Sequence, residues 1–393
     1  MMQPHVFWNQ KPLEVAPLAP ASLSLLQEDH GFQPEPLSSA LEWHVFQLDD
    51  TEAVAEWQRF LAENYKTNGF PFQIVYSRAH LAFELASPLG HWILALRSTK
   101  HPSRPIVACI AGAVRHIHHT FPGIQPDALS NVLFIEFLCV HPSLRHLRLA
   151  PKLIHEISRL AHTSPACIQK AYYNSATRLP GAFCCSDNYH RPIQWERCFD
   201  TGYVPASFRA SSHCQDWMAH DAFTAFSREF QFRKWADVVV VGNTIAVAAC
   251  ALINDYNRRH RKLYEPMTVE LWDKMCHCDC VDIVLVYHQE RLVGCLTTIS
   301  HPYACNATQK TLNTILLYTF GFDLRLTSDQ TTRIWNALFP YAYRHLPHWD
   351  AFTTIHPEVS RAIGFRKGHA YYHYMYNVQM MPLESSDISM IGI

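Results

Sequence analysis

The chain has 393 residues, of which 48% are apolar, enough to bury one large core or two medium ones and too apolar for a disordered chain. Lysine and arginine total 33 against 34 acidic residues, so no basic excess points to nucleic acid or another polyanion. The 25 histidines make the protein strongly cationic on mild acidification, which bears on solubility and not on function.

The amino terminus lacks the basic and apolar blocks of a signal peptide. The most apolar stretch, Val238 to Ile253, is broken by Gly242, Asn243 and Thr244 and is shorter than the roughly 20 apolar residues a membrane helix needs. Thirteen cysteines are an odd number scattered through apolar runs, which reads as reduced thiols in a cytosolic protein.

Residues 1–49 are proline-rich and aperiodic and read as an arm laid on the body, with Phe7-Trp8 as its anchor. Behind an Asp cap, Thr51 to Tyr65 puts Val54, Trp57, Phe60 and Leu61 on one helical face. Trp92 to Arg97, Ile106 to Val114 and Val132 to Val140 are short apolar runs that predict strands. A helix follows from Pro151 to His162, with Pro151 in its first turn. The second half repeats this alternation, with a helix from Thr244 to about His260, strands at Val281 to Tyr287 and Leu292 to Ile299, and a helix near Thr331 to His345. Two similar lobes are predicted, at 50–210 and 211–393.

Between the strand ending at Val140 and the helix starting at Pro151 lies Arg145-His146-Leu147-Arg148-Leu149-Ala150. Such a junction aims unpaired backbone N–H groups and the positive end of a helix dipole at one spot, which suits a pyrophosphate. The R-x-x-R-x-A spacing resembles the acetyl-CoA loop of the GNAT acyltransferases. The wider run EFLCVHPSLRHLRLAPKLI is similar to the core NFLCVHKKLRSKRVAPVLI of N-myristoyltransferases. Further likeness lies in Phe7-Trp8 with Pro12, Glu63-Asn64-Tyr65, Tyr76-Ser77, Leu179-Pro180, His190-Arg191 and Tyr371 to Val378.

That resemblance implies an α+β fold of tandem GNAT-like lobes, with a strongly twisted mixed sheet flanked by helices. It implies myristoyl-CoA as co-substrate, no prosthetic group, a monomer, and transfer to the amino-terminal glycine amine of protein substrates. Burying about twelve methylenes at ~0.8 kcal/mol each offers on the order of 10 kcal/mol, enough to select chain length. By the same resemblance, Phe7, Trp8, Phe137, Leu138, Cys139, Val140, Arg145, His146, Leu147, Arg148, Leu149, Ala150 and Pro151 hold the acyl-CoA. The backbone N–H groups of Phe137 and Leu138 form the oxyanion hole, and the α-carboxylate of Ile393 is the base that takes the ammonium proton. Tyr65, Phe72, Tyr76, Glu136, Tyr173, Asn174, Asn188 and His190 line the peptide groove.

The sequence departs from the family around the acceptor. Lys66-Thr67-Asn68-Gly69 replaces an acidic run, and Arg366-Lys367-Gly368-His369 stands where the family has Gly-Asp-Gly. Both changes are positive, so substrates are expected to lack the family's basic residue or to carry an acid there. Glu136 replaces an Asn, Asn174 a Thr and Asn188 a Tyr. Glu136 is expected either to bind the ammonium form or share the base role, or else to point to solvent. The family's long polar leader is absent, so tethering through such a segment is not expected.

Other constellations are weaker. Cys276-His277-Cys278-Asp279-Cys280 lacks the spacing of a zinc hairpin, and His116, His118 and His119 suit at most a fortuitous ion, so no metal is expected. Cys139, Cys184 or Cys185 as nucleophile would require an acyl-enzyme, against the direct transfer the resemblance implies. Two other functions stay open: a GNAT-type transferase acting on lysine or a small amine, and a non-catalytic acyl-CoA or lipidated-peptide binder.

Overall fold

A computed structural model describes residues 24–25, 33–65, 71–122, 124, 129–223, 229–238 and 243–390. Phe7, Trp8, Lys66 to Gly69 and Ile393 lie outside the described residues.

In chain order the first half runs β1 (Leu41–Phe46), α1 (Thr51–Asn64), α2 (Arg78–Leu85), β2 (His91–Ser98), β3 (Ile106–Arg115), β4 (Val132–Val140), α3 (Leu149–His162), β5 (Ala171–Ser175) and β6 (Cys184–Pro192). The second half runs β7 (Gln231–Lys234), α4 (Asn243–His260), α5 (Val269–Cys276), β8 (Val281–His288), β9 (Arg291–Cys305), β10 (Thr311–Phe322), α6 (Ser328–His345), β11 (Ala351–Thr354) and β12 (Arg366–Tyr376). Local chemistry explains the boundaries. Asp50 accepts the Ala53 N–H at 3.0 Å and starts α1, whose Val54, Trp57, Phe60 and Leu61 are buried. Thr327 and Gln330 form a reciprocal capping box that starts α6.

The class is α+β, as expected. Twelve of these strands form one mixed sheet in the order β7-β8-β9-β10-β11-β6-β12-β5-β4-β3-β2-β1, and Phe72–Ile74 pairs with β9 as a thirteenth. Two pairs are parallel, β4 with β5 and β10 with β11. Each half therefore makes an antiparallel meander, then a helix, then a parallel strand. The following strands are exchanged: β6 pairs with β11 of the second half, and β12 pairs with β5 of the first. This exchange draws one continuous sheet through both halves and brings residues of each to its centre.

Several elements differ from the sequence reading, three of them in ways that shape the sheet. Leu41–Phe46, read as part of the arm, is an edge strand on β2, held by six successive register pairs. β9 does not stop at Ile299 but continues to Cys305, because Phe72–Ile74 and β10 flank its far end. β10, not among the predicted strands, is almost wholly buried. Helix α4 crosses it so closely that a Cβ at Gly321 would lie 2.4 Å from Ile253 Cα, so glycine is needed there.

Buried ion pairs link the layers. Arg115 contacts Glu84 at 2.5 Å and Glu265 at 3.6 Å, while Arg191 grips Asp221 at 2.6 Å with both side chains fully buried. Among the described residues, no helix is long and apolar enough to cross a membrane.

Candidate active site

The site grows from an irregularity in β4. Ala111 pairs with Glu136 and Cys109 with Cys139, so β4 takes three steps where β3 takes two, and neither Phe137 nor Leu138 enters the register. Such a bulge leaves backbone groups out of the ladder. Phe137 adopts φ +56°, a conformation that disfavours a large side chain by on the order of 1–3 kcal/mol. Packing holds it there. Its fully buried ring meets Trp57 edge-on at 5.3 Å and Tyr76 at 5.0 Å. Its carbonyl accepts the Cys109 thiol at 3.3 Å, and the Cys109 sulfur accepts the Trp57 indole N–H at 3.3 Å.

The bulge also resets the alternation of side chains. Leu133, Ile135, Leu138 and Val140 pack in the cluster under α3, whereas Phe134, Phe137 and Cys139 join clusters on the opposite face. Glu136 and Phe137 are thus consecutive on one face. Glu136 is 7% exposed, so it does not point to solvent.

Beyond Phe134, which pairs with Tyr172, β4 and β5 part, so the bulge sits where the sheet opens. From the end of β4 the chain enters a 3-10 turn, Pro142–Leu147, and then α3. Arg148 at the junction has φ +53°, gives no side-chain cap, and no acid stands in the first turn of α3. The leading N–H groups and the dipole of α3 therefore face outward uncompensated. Arg145, His146, Leu147 and Arg148 are exposed beside them, Ala150 and Pro151 are half-buried, and Leu149 anchors the turn in the core.

Burial pushes the Cys139 thiol up to about 12, although Arg145 pulls the other way, and it pushes Cys184 to about 12 as well. Neither is a ready nucleophile.

Phe134 pairs with Tyr172, and alternation along each strand puts Glu136 and Asn174 on that same face of the sheet. His373 pairs with Asn174 across β12 and with Cys184 across β6. Alternation along β6 continues this face through Ser186, Asn188 and His190. Tyr173, expected in the groove with Asn174, is turned to the other face and stacks on Tyr374 at 4.9 Å. Adjacent residues of a strand without a bulge cannot share a face, so the structure separates these two.

Aromatic rings link the residues expected to line a groove. Tyr65 and Tyr76 lie 6.1 Å apart near Phe137, and Tyr76 leads through His301 to Tyr303. Phe72 packs between Tyr303 and Tyr203, and Tyr203 Oη hydrogen-bonds His190 Nδ1 at 2.7 Å. Burial lowers the His190 pKa to about 4, and His369 adds to the effect. Tyr76 Oη, Asn188 Oδ1, His80 Nε2 and His301 Nε2 are buried with no hydrogen-bond partner among the described residues.

Two of the cations that depart from the family are engaged. Lys367 pairs with Asp187 at 2.7 Å, and the Arg366 guanidinium lies 3.7 Å over the Phe208 ring. The carboxyl-terminal segment packs onto the body through several contacts. Leu383 N–H donates to Phe183 O at 2.7 Å, Ile388–Ser389 pairs with Leu263–Tyr264, and Met390 is 1% exposed in a cluster with Phe134 and Tyr172.

The N-terminal domain of myristoyl-CoA:protein N-myristoyltransferase matches residues 25–185, a span that contains the bulge, the uncapped helix and β5. Over this span the chain is similar to the N-terminal domain of that family. Glycylpeptide N-tetradecanoyltransferase of Emericella nidulans is 35% identical over 136 residues, 34% of this chain and 26% of that protein. The Saccharomyces cerevisiae protein of the same name is 27% identical over 244 residues, 59% of this chain and 50% of that protein. The matches thus span between about a quarter and a half of these relatives' own length.

The fold agrees over nearly the whole chain. Saccharomyces cerevisiae N-myristoyltransferase, solved with bound myristoyl-CoA, superposes with a TM-score of 0.80 at 19% identity, covering 99% of this chain and 95% of that one. A tandem GNAT protein from the clavulanic acid biosynthesis pathway has a TM-score of 0.53 at 14% identity and covers 85% of this chain. The tandem GNAT-like fold expected from the sequence therefore holds.

Tyr203, Tyr303, His80, His301, Tyr172 and His373 were not foreseen as site residues. For Tyr172 and His373 a signal was present, because alternation within YYN and YYHYMY places them on the face of Glu136 once the register is known.

Proposed function

We propose that this protein moves a myristoyl group from myristoyl-CoA to the amino-terminal glycine amine of protein substrates. The reading rests on the family domain over 25–185, which contains the strained bulge at Phe137 and the uncapped start of α3 together. The α3 N-terminus with Arg145, His146 and Arg148 binds the pyrophosphate of CoA. The acyl chain enters where β4 and β5 part. Phe137 and Leu138 offer backbone N–H groups to the oxyanion that forms as the amine attacks the thioester carbon.

A glycine α-amine, with pKa near ~7.7 to 8.0, must lose a proton before attack. The Ile393 carboxylate takes it, a role supported by the burial of Ile388, Ser389 and Met390 shortly before it in the chain. Glu136, buried on the bulge face, holds the ammonium form until then. Glu136→Gln and deletion of Ile393, made separately, sort the roles: the deletion should lower the rate at saturating substrate, and Glu136→Gln mainly raise the peptide KM.

Arg366 and His369 still favour an acid in the substrate, though Asp187 offsets Lys367. An acidic-tailed glycine peptide is expected to outperform a basic-tailed one, and equal rates would sink this preference. The cytosol suits the thirteen free cysteines.

Labelled myristoyl-CoA with a library of amino-terminal glycine peptides tests the function. Transfer to the α-amine is expected. Transfer to lysine, or tight binding with no product, would replace the reading.

A further inference from the structure

Behind Glu136 and Asn174 runs a chain of buried polar groups that the proposed chemistry does not use. Ser186 Oγ lies 3.0 Å from His373 Nε2, and His373 Nδ1 lies 2.7 Å from Tyr172 Oη. Tyr172 is in turn hydrogen-bonded to the Asn174 side chain. Ser186 and Tyr172 are 0% exposed and His373 is 2% exposed. The three groups come from β6, β12 and β5, so strands of both halves build the chain together. We infer that Ser186, His373 and Tyr172 are positioning residues that fix the orientation of the Asn174 amide toward the acceptor amine. This rests on the transferase reading above.

Burial lowers the His373 pKa to about 4, so at neutral pH the ring carries one N–H and one lone pair. Two wirings are then possible. If Nε2 holds the proton, it donates to Ser186 Oγ while the Tyr172 O–H donates to Nδ1. The Tyr172 oxygen is then free only to accept, the Asn174 amide must turn its NH2 toward it, and Asn174 Oδ1 faces the other way. If Nδ1 holds the proton, Tyr172 donates onward to Asn174 Oδ1, and the NH2 faces the acceptor. An incoming amine carries N–H donors and needs an acceptor oriented toward it. The first wiring supplies one, and the second would set donor against donor.

The surroundings hold the ring neutral. Phe183 lies against His373 on one side, and Cys184 and Ser186 line β6. Tyr172, Asn174 and, past them, Glu136 approach from β5 and β4, with Arg115 of β3 acting on Tyr172. Glu384 and Asp387 of the tail act on Cys184. No charged group among these is hydrogen-bonded to His373 in the described contacts.

The test joins a spectrum to a double variant in the full-length protein. Nitrogen-15 NMR, with His373 assigned by its loss in His373→Gln, should show the Nε2–H tautomer unchanged between about pH 8 and 5.5, and Tyr172→Phe should release it. Tyr172→Phe should raise the peptide KM about tenfold, the size of one lost buried hydrogen bond, with acyl-CoA affinity unchanged. Adding Asn174→Asp should restore KM, because both carboxylate oxygens accept whichever way the group turns, whereas Asn174→Asp cannot repair a merely destabilised fold. An Nδ1–H tautomer, an unchanged KM in Tyr172→Phe, or no rescue would overturn the inference. A wild-type protein that binds myristoyl-CoA yet transfers nothing would overturn the transferase reading instead, and the NMR result would still decide the wiring.

Discussion

Cys109 on β3 donates its thiol hydrogen to the carbonyl of Phe137 on β4 at 3.3 Å, while its sulfur takes the Trp57 indole N–H at the same distance. Burial pushes the Cys109 pKa far up, so the thiol keeps its hydrogen. One side chain thereby ties α1 to the backbone of the bulge. Cys109→Ala is expected to lower the single-turnover rate about tenfold while leaving acyl-CoA affinity within about twofold, since the bond orients the proposed oxyanion donors and not the proposed cofactor cradle. A loss confined to acyl-CoA binding would contradict this role.

Arg148 combines a charge with a left-handed backbone at the start of α3. Arg148→Ala and Arg148→Gly both remove the charge, and each should weaken acyl-CoA binding about tenfold at low salt. Only glycine accepts φ +53° without strain, so Arg148→Gly should be about 1 kcal/mol more stable than Arg148→Ala. Calorimetry of acyl-CoA binding and thermal melts of the two variants separate the effects.

Much of the fold was legible where one element stands alone. The Asp50 cap and the spacing of Val54, Trp57, Phe60 and Leu61 suffice to read α1. Helix α2 was not legible, because its eight residues, RAHLAFEL, are too few to display a period, and its Ser77 cap gains meaning only from the bond to His80 N–H. The bulge was equally hidden. FIEFLCV reads as an unbroken strand, and the slip at Phe137 is imposed from outside by Trp57, Tyr76 and Cys109. The same tertiary phase decides that Asn174 shares a face with Glu136 while Tyr173 does not, which one-dimensional likeness could not separate.

Arg191 and Asp221 form a fully buried pair, with Arg191 lying 4.0 Å over the Phe339 ring and donating to the Ile363 carbonyl at 2.7 Å. Burial alone would raise the Asp221 pKa, but Arg191 and its neighbours draw it down. Asp221→Ala leaves the guanidinium charged and unpaired in the core and should cost about 3–5 kcal/mol in urea unfolding. A change below about 1 kcal/mol would show that water reaches the pair.

Acid should unfold the protein early. Burial lowers His190, His356 and His373 to about 4 from an ordinary 6.5. Below pH 6.5 the unfolded chain binds protons that the folded chain refuses, so the stability these sites contribute is full above about pH 6.5 and is lost as pH falls toward 4. Together they should remove several kcal/mol over that window, read as a falling urea midpoint. A midpoint constant from pH 7 to 4.5 would mean that these rings are hydrated.

The central claim is transfer to a glycine α-amine, and tandem mass spectrometry of one product tests it most directly. A peptide beginning with glycine and carrying an internal lysine is incubated with myristoyl-CoA and the protein. The account predicts one myristoyl group on the amino-terminal glycine, and none on the same peptide begun with acetylated glycine. Myristoyl on the lysine, or modification of both peptides alike, would contradict it.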